Sequence, residues 1–146
     1  MRRAEIFPVI RFHTLHGGRL QAAKKHRSWI IHCWNHLSPR QDMRLIAYYF
    51  VSRETISQLH KEFLEDDTET DILTFDYGDS AEIFICAPVV RENARRYGAN
   101  FATEMRRVMI HGVLHLIGMD DADEESRKAM RLAEDFCLKE WENSFT

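Results

Sequence analysis

Residues 108–121 read V-M-I-H-G-V-L-H-L-I-G-M-D-D, and the part from Val108 to Ile117 is apolar apart from two histidines, His111 and His115. A helix of this composition has no side suited to water, so the segment is predicted to be a helix buried in the core. The histidines are four residues apart, which places their imidazoles one turn apart on one face, where both can reach the same metal ion. The sequence therefore predicts a buried helix that carries a metal-binding pair.

The residues that follow this helix offer a third ligand. Gly118 can take the left-handed conformation that ends a helix, and Asp121 lies ten residues after His111. The spacing H-x3-H-x2-G-x2-D matches the extended zinc helix of metzincins, in which the chain turns at the glycine and brings back a third ligand. We assign Asp121 on spacing, with the adjacent Asp120 as the alternative.

Two imidazoles and one carboxylate suit zinc and leave its fourth position open for water, as in catalytic sites. The same ligand set also describes non-haem iron sites, so one Zn²⁺ is expected, with another divalent metal as the alternative. The residue after His111 is Gly112, where a zinc metalloprotease has the glutamate that acts as general base. A protease is therefore the least favoured interpretation.

The rest of the chain predicts four strands and five helices in the order β α β α β β α α α. Strands are expected at 5–13, 43–51, 70–75 and 82–86, and helices at 20–37, after Ser52, from Pro88 to about Gly98, at 103–117 and from about Asp123. The core face of the last helix is expected to consist of Met130, Ala133, Phe136, Cys137 and Trp141. No repeat or linker marks a second domain, so residues 1–146 are predicted to form a single domain, α+β rather than α/β, with a small mixed sheet.

Composition excludes several classes of protein. The chain has 146 residues, of which 45% are hydrophobic and 29% charged, values typical of a globular protein and not of a disordered one. No apolar run is long enough to cross a membrane. The three cysteines, Cys33, Cys86 and Cys137, are an odd number and widely spaced, and no secretory leader is recognised, so no disulfides and a cytoplasmic location are expected.

The net charge of -3 conceals an uneven distribution. Residues 62–82 hold nine acids and no Lys or Arg, residues 120–146 hold nine acids and four bases, and the remainder holds sixteen bases and five acids. Basic segments of this kind can attract a polyanion. Arginines near the proposed metal helix are expected to form a phosphate-binding surface, with solvated helix faces as the alternative. They are Arg91, Arg95, Arg106 and Arg107.

The segment H-G-V-L-H-L-I-G-M-D-D at 111–121 resembles the signature H-G-x-L-H-L-x-G-Y-D-H of the YbeY family, bacterial metal-dependent endoribonucleases implicated in ribosomal RNA maturation. The segment T-D-I-L-T-F at 70–75 is similar to that family's T-D-V-L-S-F block. The resemblance implies a zinc ion held by His111, His115 and the position of Asp121. It also implies ribosomal RNA or its precursors as substrate, with ribosomal proteins as further partners.

Beyond conservative replacements in the T-D-V-L-S-F block, the sequence departs from the family pattern at three positions. Asp121 stands where the family has a third histidine, Met119 replaces its tyrosine, and Leu64 occupies the place of an arginine upstream of T-D-V-L-S-F. The first change alters the charge of the metal site, and the last removes a phosphate-binding or transition-state group. The alternative hypothesis is therefore a ribosomal-RNA-associated or ribosome-associated assembly factor whose metal is mainly structural.

Overall fold

A computed structural model describes residues 8–146, and it confirms the predicted order of elements. The strands are β1 (Val9–Thr14), β2 (Leu45–Phe50), β3 (Ile72–Asp76) and β4 (Ser80–Ile85), and the helices are α1 (Ala23–Leu37), α2 (Arg53–Leu64), α3 (Ala87–Arg96), α4 (Phe101–Ile117) and α5 (Glu124–Ser144). Glu5 and Ile6, which belong to the predicted first strand, lie outside the described residues.

The four strands form one mixed sheet in the order β1-β2-β4-β3. Strands β1, β2 and β4 run parallel, and β3 pairs antiparallel with β4 through the predicted hairpin. The central position of β2 explains its two apolar faces, since Tyr48 and its neighbour Ala47 are both buried although they point to opposite sides. The sheet is therefore mixed, which confirms the predicted α+β fold, and β3 lies at its edge.

The main core lies on the face of the sheet that carries Ile46, Tyr48 and Ile83, where α1, α4 and α5 pack. A smaller core forms on the opposite face around Val51 of the β2–α2 junction and Ile56 of α2. Helix α4 lies at the centre of the main core and contacts α1, α3, α5, β3 and β4. The predicted burial of this helix is therefore confirmed.

Side-chain caps fix where three of the helices begin. Ser52, Asn100 and Asp123 each accept a hydrogen bond from the backbone amide three residues further on, which satisfies a donor that has no partner inside the helix. The starts of α2 and α5 agree with the predicted helix starts after Ser52 and near Asp123. Helix α4 begins at Phe101, two residues earlier than predicted, because Asn100 is its cap.

The buried face of α5 differs from the prediction at one position. Met130, Cys137 and Trp141 are buried as expected, but Phe136 is 37% exposed. The buried position between them is occupied by Glu134, which is 5% exposed. A carboxylate in this place requires charged partners, and they are described with the metal centre below.

All three cysteines are buried and free, which agrees with the expected absence of disulfides. Cys33 lies on α1 and Cys137 on α5, and burial together with a hydrogen bond between the two thiols raises the pKa of Cys33. None of the helices in residues 8–146 combines the length and apolar composition that a membrane-spanning helix needs.

Candidate metal centre

Helix α4 lies directly on the sheet because Gly112 has no side chain. A Cβ at this position would lie 3.0 Å from Cδ1 of Ile83 and 3.1 Å from Cδ1 of Ile72. The buried hydroxyl of Tyr48 also donates a hydrogen bond to the carbonyl of Met109, at 2.9 Å, and so ties β2 to α4. The helix that carries the two histidines is thus held against β3 and β4, and position 112 has no room for the glutamate of a metalloprotease.

Gly118 ends α4 and reverses the chain as predicted. Its φ of +114° lies in the left-handed region that glycine adopts without strain. The amide of Gly118 donates to the carbonyl of His115, and the amide of Met119 donates to that of Leu114, both at 3.0 Å. This turn brings Asp121 back to the helix face that carries the histidines.

The ligand atoms of His111, His115 and Asp121 converge. The two Nε2 atoms lie 3.0 Å apart, and Oδ2 of Asp121 is 3.5 Å from Nε2 of His111 and 3.9 Å from that of His115. Tetrahedral zinc with bonds of about 2.0–2.2 Å separates its ligand atoms by about 3.3–3.6 Å, and the three observed distances lie within a few tenths of an ångström of this range, so small side-chain shifts let the three ligands hold the ion. Within residues 8–146, no other group of three or more His, Cys, Asp or Glu ligands converges within 4.8 Å.

The alternative third ligand, Asp120, points elsewhere. Its Oδ1 accepts a hydrogen bond from the amide of Ala122 at 3.3 Å, and Asp120 does not belong to the converging group. The geometry therefore favours Asp121, in agreement with the spacing argument.

A buried ion-pair network lies behind His111, and the sequence reasoning did not find it. Nδ1 of His111 is 2.7 Å from Oε2 of Glu134, and the guanidinium of Arg107 donates to Oε1 of Glu134 at 2.8 Å and to Asp135 at 2.9 Å. One signal was available: position 134 lies four residues after Met130 and three before Cys137, on the apolar face of α5. An acid at such a position indicates a buried charged partner.

The two imidazoles have opposite pKa shifts. Burial alone would lower the pKa of His111, but its hydrogen bond to Glu134 and the charge of that carboxylate outweigh burial and raise it. Burial and the neighbouring His111 charge lower the pKa of His115. The metal-free centre therefore favours a protonated His111 beside a neutral His115, and metal binding must release the proton of His111.

The centre lines a cleft of about 500 Å³. The segment 70–74 of the T-D-I-L-T-F motif forms the opposite wall, and Leu64 at the end of α2 completes it. Asp71, Asp76 and Asp121 all line the cleft, and burial raises the pKa of Asp71. Within the described part of the chain, no Lys or Arg belongs to the lining.

Arg40 fixes the distance between the two walls of this cleft. Its guanidinium donates to Oδ2 of Asp76 at 2.7 Å and to the carbonyl of Leu116 at 2.9 Å, and it also binds the carbonyl of Gly78. The contacts join the β3–β4 hairpin to the last turn of α4. Arg40 thus connects the edge strand to the helix that carries the histidines.

Four arginines were predicted to bind phosphate, and none of them belongs to the cleft lining formed by residues 8–146. They are Arg91, Arg95, Arg106 and Arg107. The guanidinium of Arg106 lies 4.4 Å from the ring centre of Trp141, and that of Arg91 lies 4.2 Å from the ring centre of Phe101. Arg95 is exposed on α3. Of the four, Arg107 is connected to the metal centre, through its contact with Glu134.

The mixed sheet and five helices define a protein of the α+β class. Its central helix carries two histidines one turn apart, and a glycine turn returns a carboxylate to them, as in the metal helices of zincins. The family model described as endoribonuclease YbeY matches residues 16–142, and the chain belongs to this family.

Relatives support the assignment. The endoribonuclease YbeY of Bacteroides thetaiotaomicron is 43% identical over 97 residues, which cover 64% of this chain and 71% of the relative. The endoribonuclease YbeY of Chlorobium limicola is 39% identical over 100 residues, which cover 66% of this chain and 69% of the relative. The solution structure of a Thermotoga maritima protein is similar with a TM-score of 0.63 and 28% identity, covering 92% of this chain and 90% of that one.

Proposed function

We propose that residues 1–146 form one metal-dependent endoribonuclease domain that acts in the cytoplasm on ribosomal RNA or its precursors. The catalytic centre is one Zn²⁺ held by His111, His115 and Asp121. The observation that carries the proposal is the convergence of these three ligand atoms at the side of an open cleft, in a chain whose relatives are named endoribonucleases. Ribosomal proteins are proposed as further partners.

Each side chain of the centre has a defined task. His111 and His115 offer their Nε2 atoms from a rigid helix, and Asp121 closes the ligand set from the turn. Three protein ligands leave the fourth position of a tetrahedral site open. When bound there, a metal ion would supply an activated water at neutral pH and charge stabilisation for a phosphodiester.

The lining of the cleft determines how RNA charge is balanced. Three carboxylates and no Lys or Arg line the cleft in the described residues, and the guanidinium of Arg40 beside it is paired with Asp76, so a bound ion would be the main source of positive charge for a phosphate in the cleft. We propose that the basic segments, including Arg91, Arg95 and Arg106, contact phosphates outside the cleft. These outer contacts make the affinity for RNA fall as salt rises.

The test compares cleavage of ribosomal RNA fragments by the zinc-loaded wild type and by His115→Ala, with the metal content of both proteins determined. His36→Ala is the matched control, because His36 also belongs to a helical histidine pair but lies on α1. Cleavage is expected in the wild type and in His36→Ala and is expected to be lost in His115→Ala. Equal cleavage by His115→Ala would sink the enzyme hypothesis.

The assembly-factor alternative is favoured by one observation. Leu64, which takes the place of the family arginine, is 54% exposed at the cleft and offers no charge to a phosphate. A measurement of RNA affinity on the same fragments discriminates the two functions: tight RNA binding with no cleavage by the zinc-loaded wild type would favour the assembly factor.

A further inference from the structure

Glu134 is a buried carboxylate whose two oxygens both have ionisable partners. It is 5% exposed, so without partners its charge would strongly destabilise the fold. Oε2 meets Nδ1 of His111 at 2.7 Å and Oε1 accepts from Arg107 at 2.8 Å. The two contacts point in different directions and fix the orientation of the carboxylate. Arg107 is itself held by Asp135 at 2.9 Å.

The contact with Nδ1 determines which nitrogen of His111 is available to a metal. A carboxylate is only an acceptor, so Nδ1 of His111 must carry a proton. The lone pair of the neutral ring is then on Nε2, the nitrogen that lies 3.0 Å from Nε2 of His115 and 3.5 Å from Oδ2 of Asp121. The carboxylate also increases the electron density of the ring and so its strength as a ligand.

We propose that Glu134, held in place by Arg107, is the positioning residue of the metal centre: it fixes the nitrogen and ring orientation with which His111 binds the metal and thereby sets metal affinity. The inference rests on the metal centre of the proposed function. It also assigns Arg107 to the support of the centre in place of substrate binding.

The three ligands then differ in how firmly they are held. His111 is fixed from behind by a buried ion pair between α4 and α5, whereas Asp121 is exposed and reaches the centre from the turn after α4. Ligands that are locked by contacts with their surroundings lose little entropy when they bind a metal. A change at Glu134 should therefore weaken metal binding although Glu134 does not touch the ion.

The first experiment measures zinc affinity by competition with a chromogenic chelator. It compares the full-length wild type, Glu134→Gln and Glu140→Gln. Glu134→Gln keeps the shape of the side chain and removes its charge, and zinc affinity is expected to fall about 10- to 100-fold. Glu140→Gln is the matched control, because Glu140 is also a glutamate of α5 that lies 2.7 Å from a histidine, but that histidine is His32 of α1; less than a threefold change is expected there.

The outcomes are distinguishable. Equal zinc affinity in the wild type and Glu134→Gln overturns this inference and leaves the proposed function intact. A wild type that binds no stoichiometric zinc overturns both. A similar loss of affinity in Glu134→Gln and Glu140→Gln also overturns the inference, because it would show a general effect of removing charge from α5.

A second measurement needs no folded variant of Glu134. Long-range ¹H–¹⁵N correlation spectra of the zinc-loaded wild type report which ring nitrogen carries a proton and which one binds the metal, and His111 is assigned by its absence in His111→Gln. Protonated Nδ1 and metal-bound Nε2 are expected for His111. Coordination through Nδ1 would contradict the proposal.

Discussion

Two pairs of histidines in this protein have the same spacing and different surroundings. The α4 pair is His111 and His115, and the α1 pair is His32 and His36. In each pair one imidazole lies 2.7 Å from a glutamate of α5, Glu134 for the α4 pair and Glu140 for the α1 pair. Sequence spacing alone does not separate them.

The difference is the nitrogen that the glutamate meets. Glu134 meets Nδ1 of its histidine and leaves Nε2 free, whereas Glu140 meets Nε2 itself. Nδ1 of the second α1 histidine lies 3.1 Å from a carbonyl of its own helix, and this pair does not belong to a converging group of ligands. The two pairs indicate that a helical histidine pair becomes a metal site when neighbouring residues bind Nδ1, leave Nε2 free and supply a third ligand.

The largest effect that tests this comparison is loss of the metal. His111→Ala is expected to lower zinc affinity by more than about 100-fold, beyond the range caused by residues that only support a ligand. His32→Ala is the matched change in the α1 pair and should leave the ratio of zinc to protein unchanged. Elemental analysis after dialysis measures both. Stoichiometric zinc in His111→Ala would refute the assignment of the α4 pair.

The next effect concerns the third ligand, which the α1 pair lacks. Asp121→His replaces an anionic ligand by a neutral one, so the net charge of the centre rises by one unit and a bound water becomes more acidic. The pH–activity profile is expected to move to lower pH, while Asp120→Asn should leave it in place. If Asp121→His changes neither activity nor zinc affinity, Asp121 is not a ligand.

A smaller effect is expected at the turn that brings Asp121 back. Gly118→Ala forces a Cβ into a backbone with φ of +114° and should lower the free energy of unfolding by about 1–3 kcal/mol. Urea denaturation of the metal-free protein measures this. Gly18→Ala is the control, because Gly18 has open space around it and no such φ. Equal stability of both variants would show that the turn tolerates a side chain.

The smallest effect is a pH dependence of stability in the metal-free protein. The neighbouring carboxylates raise the pKa of His111 from 6.5. The contribution of His111 to the free energy of unfolding is therefore full below pH 6.5 and is lost as the pH rises through the raised pKa. His111 and Arg107 lower the pKa of Glu134 from 4.5. The contribution of Glu134 to the free energy of unfolding is therefore full above pH 4.5 and is lost as the pH falls through the lowered pKa.

Thermal unfolding across pH checks this expectation. The unfolding temperature of the wild type should exceed that of Glu134→Gln by the widest margin between pH 4.5 and 6.5. Glu140→Gln breaks the partly exposed contact of the α1 pair and should lower the free energy of unfolding by less than about 1 kcal/mol. A stability difference between wild type and Glu134→Gln that is constant with pH would contradict the assignment of the ion pair.

The parts of the structure that could be predicted are those encoded within one short segment. The buried α4, the turn at Gly118 and the return of Asp121 all follow from the spacing of residues 108–121. The support of His111 could not be read in this way, because Glu134 lies 23 residues further on, and its approach depends on the packing of α5 against α4.

Two further expectations depended on the same packing. Phe136 was expected in the core on hydrophobicity, but the register of α5 places Glu134 there, where two ion pairs offset the burial of its charge. Arg107 was expected to bind phosphate, which stays a prediction, and the same register gives its guanidinium two carboxylate partners. Periodicity identifies an apolar face, and it does not show which charged residue at the border of that face will find a buried partner.

Gly112 limits the chemistry that descendants of this chain could acquire. The general base of a metalloprotease would have to arise at this position, where the two isoleucines Ile83 and Ile72 already lie within about 3 Å of any Cβ. A Gly112→Glu change alone would push α4 away from the sheet and disturb the histidines that it carries. Conversion of this centre to peptide hydrolysis would therefore require that the sheet be repacked first. The close contact of helix and sheet thus separates RNA cleavage from peptide hydrolysis, although both use similar metal helices.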